Sequence, residues 1–206
     1  MNYPLNIMAL DPGPKESTFV RCTFTGETNL MGQPLIISGV GSLGNNEMLD
    51  KLTGLFGVIV VCEMIACYGM AVGKEVFETC RWIGRFEQKL ATHGGKLETL
   101  TRMEAKMNLC HSARANDANI RQALIDRFGG VGTRKSPGTL FGISGHAWAA
   151  LAVGVSFYDS LLRAAQESAR LKSIHRPDSV LLSRPSCETA AGGNDLGDMM
   201  LGKAKL

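Results

Sequence analysis

At 206 residues the chain is long enough for one domain with a substantial core and some peripheral additions. Its 45% hydrophobic and 20% charged content is ordinary for a soluble globular protein, and a net charge of +3 does not by itself imply nucleic acid. No apolar run reaches the ~18 residues of a membrane span, and the N-terminus lacks the basic region and apolar core of a secretory signal.

The first strand is Asn6-Ile7-Met8-Ala9-Leu10, which runs into Asp11-Pro12-Gly13-Pro14, where Pro12 and Gly13 impose a tight turn. Ser17 to Thr25, rich in Thr, Val and Phe, predicts a second strand. Gly26-Glu27-Thr28-Asn29 turns the chain into a third strand over 34–40, so the chain begins with an antiparallel meander. Asn45 or Asn46 caps a short helix ending at Leu52. The unbroken β-branched run that starts at Val58 then predicts a strand buried on both faces.

A loop of small residues containing Tyr68 leads into a long helix over 74–90. Val76, Phe77, Cys80, Ile83, Phe86 and Leu90 recur there at helical spacing and are expected in the core, with Lys74, Arg81, Arg85 and Lys89 mainly on the other side. Gly94-Gly95 ends that helix, and 96–100 predicts another strand, followed by a short helix over 103–109. Asn116 or Asp117 caps a helix that runs to Phe128 and stops at Gly129-Gly130. The segment 131–142 reads as an exposed loop, and Ser144 caps a last long helix from His146 to about Lys172. This order predicts an α/β domain with a mixed sheet over 1–176 and a loosely packed tail over 177–206. No internal repeat is visible. The six cysteines, Cys22, Cys62, Cys67, Cys80, Cys110 and Cys187, show no CxxC spacing, which argues for buried free thiols in a reducing cytoplasm and against a zinc site.

The chemistry lies at two strand ends. Glu63 closes the buried run 58–63, where an unpaired acid is costly unless something cationic meets it. Asp11 closes the first strand in the same way. Two such acids, if the fold brings them together, can share a divalent metal; the plainer readings are a turn-forming Asp before Pro-Gly and a Glu paired with a base. A second signal is charge. Between Arg102 and Lys135 stand seven basic residues against three acids, a balance that exceeds the whole chain's +3 and suits a phosphate backbone.

Three blocks together resemble the RuvC-type Holliday-junction resolvases, especially divergent phage and bacterial members. Ala9-Leu10-Asp11-Pro12-Gly13 is similar to that family's opening I-D-P-G, and Val60-Val61-Cys62-Glu63-Met64 to its strand ending in glutamate. Gly145-His146-Ala147-Trp148-Ala149-Ala150-Leu151-Ala152 is similar to its final helix, H/D-x-x-D-A-L-A. The blocks span roughly residues 6–160 in order and spacing. At the family's last aspartate this chain has Ala149, which leaves the constellation one carboxylate short.

The resemblance implies a ribonuclease-H-like mixed sheet flanked by helices, in a protein of the bacterial cytoplasm encoded by the cell or by a phage. It also implies a Mg²⁺-dependent endonuclease, with Mn²⁺ able to substitute, acting on branched DNA as a homodimer. Asp11, Glu63 and His146 are then the expected metal ligands and catalytic groups, with Asp117 as a replacement acid and Lys106 as the base that stabilises transition-state charge. Asp117 has a bland alternative: it starts a helix and lies four residues before Arg121, an ion-pair spacing. In the first turn of its predicted helix His146 is expected to offer a neutral ring nitrogen, the alternative being a surface histidine. Tyr68 is a candidate to stack on an unpaired base or, equally, a core residue, and Arg81, Arg85, Arg114, Arg121, Arg134 and Lys135 are candidate DNA contacts. The helix over 74–90, with Trp82 and Phe86, is the expected dimer face. A junction-binding protein without catalysis is the alternative function, motivated by Ala149 and His146; an actin-like ATPase is disfavoured, because no second phosphate-binding Gly-rich turn is present.

Overall fold

In the computed structural model, which describes residues 4–25 and 35–174, the elements run β1 (Leu5–Asp11), β2 (Glu16–Phe24), β3 (Leu35–Gly44), α1 (Asn45–Leu52), β4 (Val58–Met64), α2 (Lys74–Thr92), β5 (Leu97–Thr101), α3 (Arg102–Cys110), α4 (Asp117–Phe128) and α5 (Ala147–Ile174). The five strands form one sheet in the order β3-β2-β1-β4-β5. β1, β2 and β3 pair antiparallel, as the meander predicts, while β4 and β5 join β1 in parallel. This is the ribonuclease-H-like α/β arrangement. The predicted turn at 26–29, Cys187 and the tail 177–206 lie outside the described residues.

Successive strand residues point to opposite faces, and this parity divides the core in two. Ile7 and Ala9 of β1 and Val61 of β4 pack with Ile120 and Leu124 of α4 and with Ala150, Leu151 and Val155 of α5. Met8, Leu10, Val60 and Cys62 face the other way, onto Met48 and Leu52 of α1 and Ile83, Phe86 and Leu90 of α2. β1 and β4 are therefore covered on both faces, as their near-continuous apolar sequence requires.

Helix α2 departs from its predicted face. Phe77 is 60% exposed, and Thr79 is buried in its stead. The α2 residues in the core beneath the sheet, Ile83, Phe86 and Leu90, come from its later turns. Phe86 is fully buried, which removes it from the expected dimer face; Trp82 is half-buried beside it, with the Arg85 guanidinium 4.4 Å over its ring. The segment 131–142 is mostly exposed, but Leu140 inserts into the core and tethers it. Cys22 and Cys62 are buried free thiols as expected, whereas Cys67 is exposed in the loop after β4. Among the described residues no helix is long and apolar enough to cross a membrane.

The two elements that flank the candidate site meet closely at Gly154, where a Cβ would stand 3.0 Å from the Cβ of Ala9. A glycine in a helix interior costs about 1 kcal/mol relative to alanine; here it lets α5 lie directly on β1. Gly154→Val is expected to lower stability by about 1–3 kcal/mol through overpacking against a strand that cannot move aside. Urea denaturation monitored by circular dichroism measures this; an unchanged midpoint would show that α5 has room to shift.

Candidate active site

The parity that sorts the core also places the acids. Asp11 follows Ala9 by two residues and Glu63 follows Val61 by two, so both side chains project toward the face covered by α4 and α5. Leu10 pairs with Cys62 in the parallel register, so Asp11 and Glu63 occupy the next positions on neighbouring strands. Leu100 of β5 pairs with Glu63, and Arg102, two residues further on, begins α3. Three adjacent strands thus deliver an aspartate, a glutamate and an arginine to one sheet edge. Carboxyl ends of parallel strands are where ligands gather in open α/β sheets.

Local structure fixes each of these groups. The turn after Asp11 needs glycine at position 13, because a Cβ there would lie 2.5 Å from the Glu16 carbonyl oxygen. Asn45, predicted as a helix cap, is instead the buried first residue of α1 and ties this turn down. It accepts the Ser17 hydroxyl at 2.7 Å, donates its side-chain amide to the Gly13 carbonyl at 2.9 Å and its backbone N–H to the Lys15 carbonyl at 3.1 Å. Losing that side chain would strand buried polar partners at a cost of about 1–3 kcal/mol. The start of α3 is held by a capping box, with the Thr101 N–H donating to Glu104 Oε2 at 2.7 Å and the Glu104 N–H to the Thr101 hydroxyl at 3.3 Å.

Opposite the sheet edge, α5 begins one residue later than predicted. His146 is the residue before it, and its carbonyl accepts the N–H groups of Ala149 and Ala150. The His146 side chain is 83% exposed and its Nδ1 lies 2.9 Å from Asp11 Oδ2. An N–H there donates to the carboxylate and leaves Nε2 as the free nitrogen. Asp117 opens α4 after its Asn116 cap, as predicted. Its partner, however, is Arg102 and not Arg121: Arg102 Nη2 donates to Asp117 Oδ1, while the Arg121 guanidinium lies 5.1 Å from the Trp148 ring. The Arg102 Nη1 group also reaches both Glu63 oxygens at 3.4 and 3.5 Å. Asp11, Arg102, Asp117, Arg121, His146, Trp148 and Ala149 line one cleft of about 590 Å³; Glu63 does not line it and meets it through Arg102.

The electrostatics of this cleft are set by burial. Asp11 and Glu63 are only 16% and 15% exposed. Burial raises the pKa of Asp11 above the usual range although His146 and Arg102 pull it down. Burial likewise raises Glu63, with Asp11 adding to the rise and Arg102 opposing it. Burial works against the charge of Arg102, but Glu63 and Asp117 outweigh it and raise the guanidinium pKa further. Among the described residues no three His, Cys, Asp or Glu side chains are gathered closely enough to hold a metal ion; the guanidinium stands among the acids instead.

The remaining expected residues are not in the cleft. Lys106 is half-buried one turn further along α3, near Cys110, so Arg102 is the base that meets the acids. In the sequence Arg102 stands only as part of a basic segment; its signal is its place two residues after the predicted strand 96–100. Arg114, Arg134 and Lys135 are exposed beyond the cleft, and Arg81 and Arg85 are exposed on α2, which packs on the opposite face of the sheet. Tyr68 is exposed in the loop after β4 and adopts a left-handed backbone with φ 47°.

Solved structures share this fold. A structure of RuvC from Thermus thermophilus superposes with a TM-score of 0.57 and 13% identity, covering 76% of this chain and 96% of that one. The T. thermophilus RuvC in complex with a Holliday junction substrate gives a TM-score of 0.54 and 11% identity, covering 74% and 92%. The chain has the fold of RuvC. No protein-family model and no curated protein sequence matches it.

A carboxylate with a raised pKa in the folded state contributes stability when protonated and loses it as pH rises through that pKa. Asp11→Asn, which keeps an acceptor for His146, should therefore unfold at a higher temperature than the wild type at pH 8 in chelator. The gain should shrink as pH falls toward the ordinary carboxylate range. Each kcal/mol of relieved cost corresponds to about 2–4 °C for a chain of this size. Thermal melts across pH check this, and a lower melting temperature for the variant at pH 8 would contradict the burial argument.

Proposed function

We propose that this chain is a divalent-metal-dependent, structure-selective endonuclease that resolves Holliday junctions or other branched DNA by phosphodiester hydrolysis. The observation that carries this reading is the placement of Asp11 and Glu63 on adjacent parallel strands, on one face, with His146 2.9 Å from Asp11, in the fold of RuvC. The donor chemistry fits a hard cation: carboxylate oxygens that burial makes costly to ionise, and an imidazole nitrogen beside them. Asp11, Glu63, His146 and Asp117 are the residues that would hold Mg²⁺ or Mn²⁺. Such an ion activates water and stabilises charge on the phosphate oxygens.

The chain's own side chains account for the other requirements. Asp11 orients the His146 ring through Nδ1, so that Nε2 is presented for a ligand or a proton. Trp148 and Arg121 form a flat cationic wall of the cleft, suited to a phosphate or a sugar. Arg114, Arg134 and Lys135 extend the basic surface past the cleft, where they would position the backbone and make binding fall with salt. Exposed Tyr68 is suited to stacking on an unpaired base. Lys106 would act on a phosphate only from outside the cleft. We assign DNA as the partner by the structural likeness to RuvC solved with its junction, and a homodimer as the working unit, with exposed Phe77 of α2 in place of Phe86 at the contact.

A second reading, junction binding without cleavage, is favoured by Ala149 on the cleft wall and by Arg102 on Glu63. One assay separates the two: nicking of a synthetic four-way junction in Mg²⁺ or Mn²⁺. The nuclease reading expects metal-dependent nicks that Asp11→Asn reduces by at least about 100-fold, the upper range for loss of a residue supporting a metal site. Junction binding with no nicking in either metal would establish the binding-only reading.

A further inference from the structure

We propose that Arg102 is a resident cation of this site: its guanidinium spans Glu63 and Asp117 where a divalent metal would sit, and metal binding has to displace it. The inference rests on the metal reading above and concerns a residue to which that reading gives no role.

Three observations carry it. First, one guanidinium joins acids from separate elements, with Nη1 at 3.4–3.5 Å from both Glu63 oxygens and Nη2 donating to Asp117. Arginine is never deprotonated in this setting, and its fork can bridge two carboxylates at once. Second, Arg102 and Asp117 line the same cleft as Asp11 and His146, and Glu63 sits beside Asp11 on the neighbouring strand, so a metal held by these acids needs the oxygens that Arg102 engages. Third, its backbone is fixed by the Thr101–Glu104 box while its side chain is 37% exposed. The side chain can therefore swing toward solvent without any change in the fold. A monovalent donor and a divalent ion then compete for the same lone pairs, and the apparent metal affinity falls by the fraction of molecules in which Arg102 is engaged.

The arrangement has two consequences. Without metal, Arg102 keeps buried Glu63 from standing uncompensated. With metal, the freed guanidinium remains at the cleft mouth, in reach of a phosphate that enters it.

The test is Mn²⁺ binding by the full chain, followed by the electron paramagnetic resonance signal of free Mn²⁺, together with melting temperatures in chelator and in Mn²⁺. The proteins are wild type, Arg102→Gln, Arg102→Lys and Asp11→Asn. Arg102→Gln is expected to melt lower than wild type in chelator, to gain more from Mn²⁺ and to bind it at least about 5-fold more tightly, the lower end of ordinary coupling between sites. Arg102→Lys keeps the charge but not the bridge, so it should fall between the two and guards against a glutamine variant that folds poorly. If Arg102→Gln and Arg102→Lys bind Mn²⁺ no more tightly than wild type while Asp11→Asn abolishes binding, the competition is refuted and the metal site stands. If wild type and both Arg102 variants show no binding that depends on Asp11, the metal reading itself fails, and this inference with it.

Discussion

Two carboxylates buried at the ends of neighbouring parallel strands repel one another and lose hydration, so they persist only if positive charge is brought to them. The fold is arranged around that requirement. β5 lies beside β4 and releases the chain at Arg102, on the edge where Glu63 ends its strand. α4 and α5 point their starts at the same edge and bring Asp117 and His146 to it. Asp11, Glu63, Arg102, Asp117 and His146 therefore stand at or next to the ends of regular elements, and the strands and helices set their positions more firmly than a free loop would.

The supports of the cleft are small residues and buried polar groups, which carry no chemistry themselves. Gly13 allows the chain to turn tightly after Asp11, and Asn45 then secures the turn from β3 and α1 with bonds to three different residues. Gly154 performs the same service from the other side by letting α5 rest on Ala9, two residues before Asp11. If α5 rode further from β1, His146 would be carried away from Asp11, because both sit at the ends of those two elements. Packing density in the core and the 2.9 Å spacing in the cleft are thus one constraint seen at two places.

What the sequence made legible follows the strength of its periodic signals. β1 and β4 are nearly uninterrupted apolar runs that end in an acid, so both their place in the middle of the sheet and the acid at the tip could be read. Parity then sends Asp11 and Glu63 to the same face once the register is known. The exposure of Phe77 was not legible, because helical spacing gives the apolar face of α2 but not how far along that face the sheet extends. The pairing of Asp117 was misread for a related reason: spacing offers Arg121 four residues on, but tertiary structure brings Arg102 from another strand edge and gives Arg121 an aromatic face instead. Asn45 looks like a cap in sequence, and only its burial between two turns of chain shows its larger task.

The alanine at position 149 acquires a physical setting from the cleft as a whole. Ala149 is in the first turn of α5, on the wall where the resemblance leads one to expect an acid, and the acid that lines this cleft besides Asp11 comes from the first turn of α4. Asp117 is favoured there by the helix dipole, and Arg102 links it to Glu63. Asp11, Glu63 and Asp117 together carry three negative charges, against which Arg102 sets one positive charge. On the metal reading, a single divalent ion with Arg102 still nearby brings the cluster to neutrality.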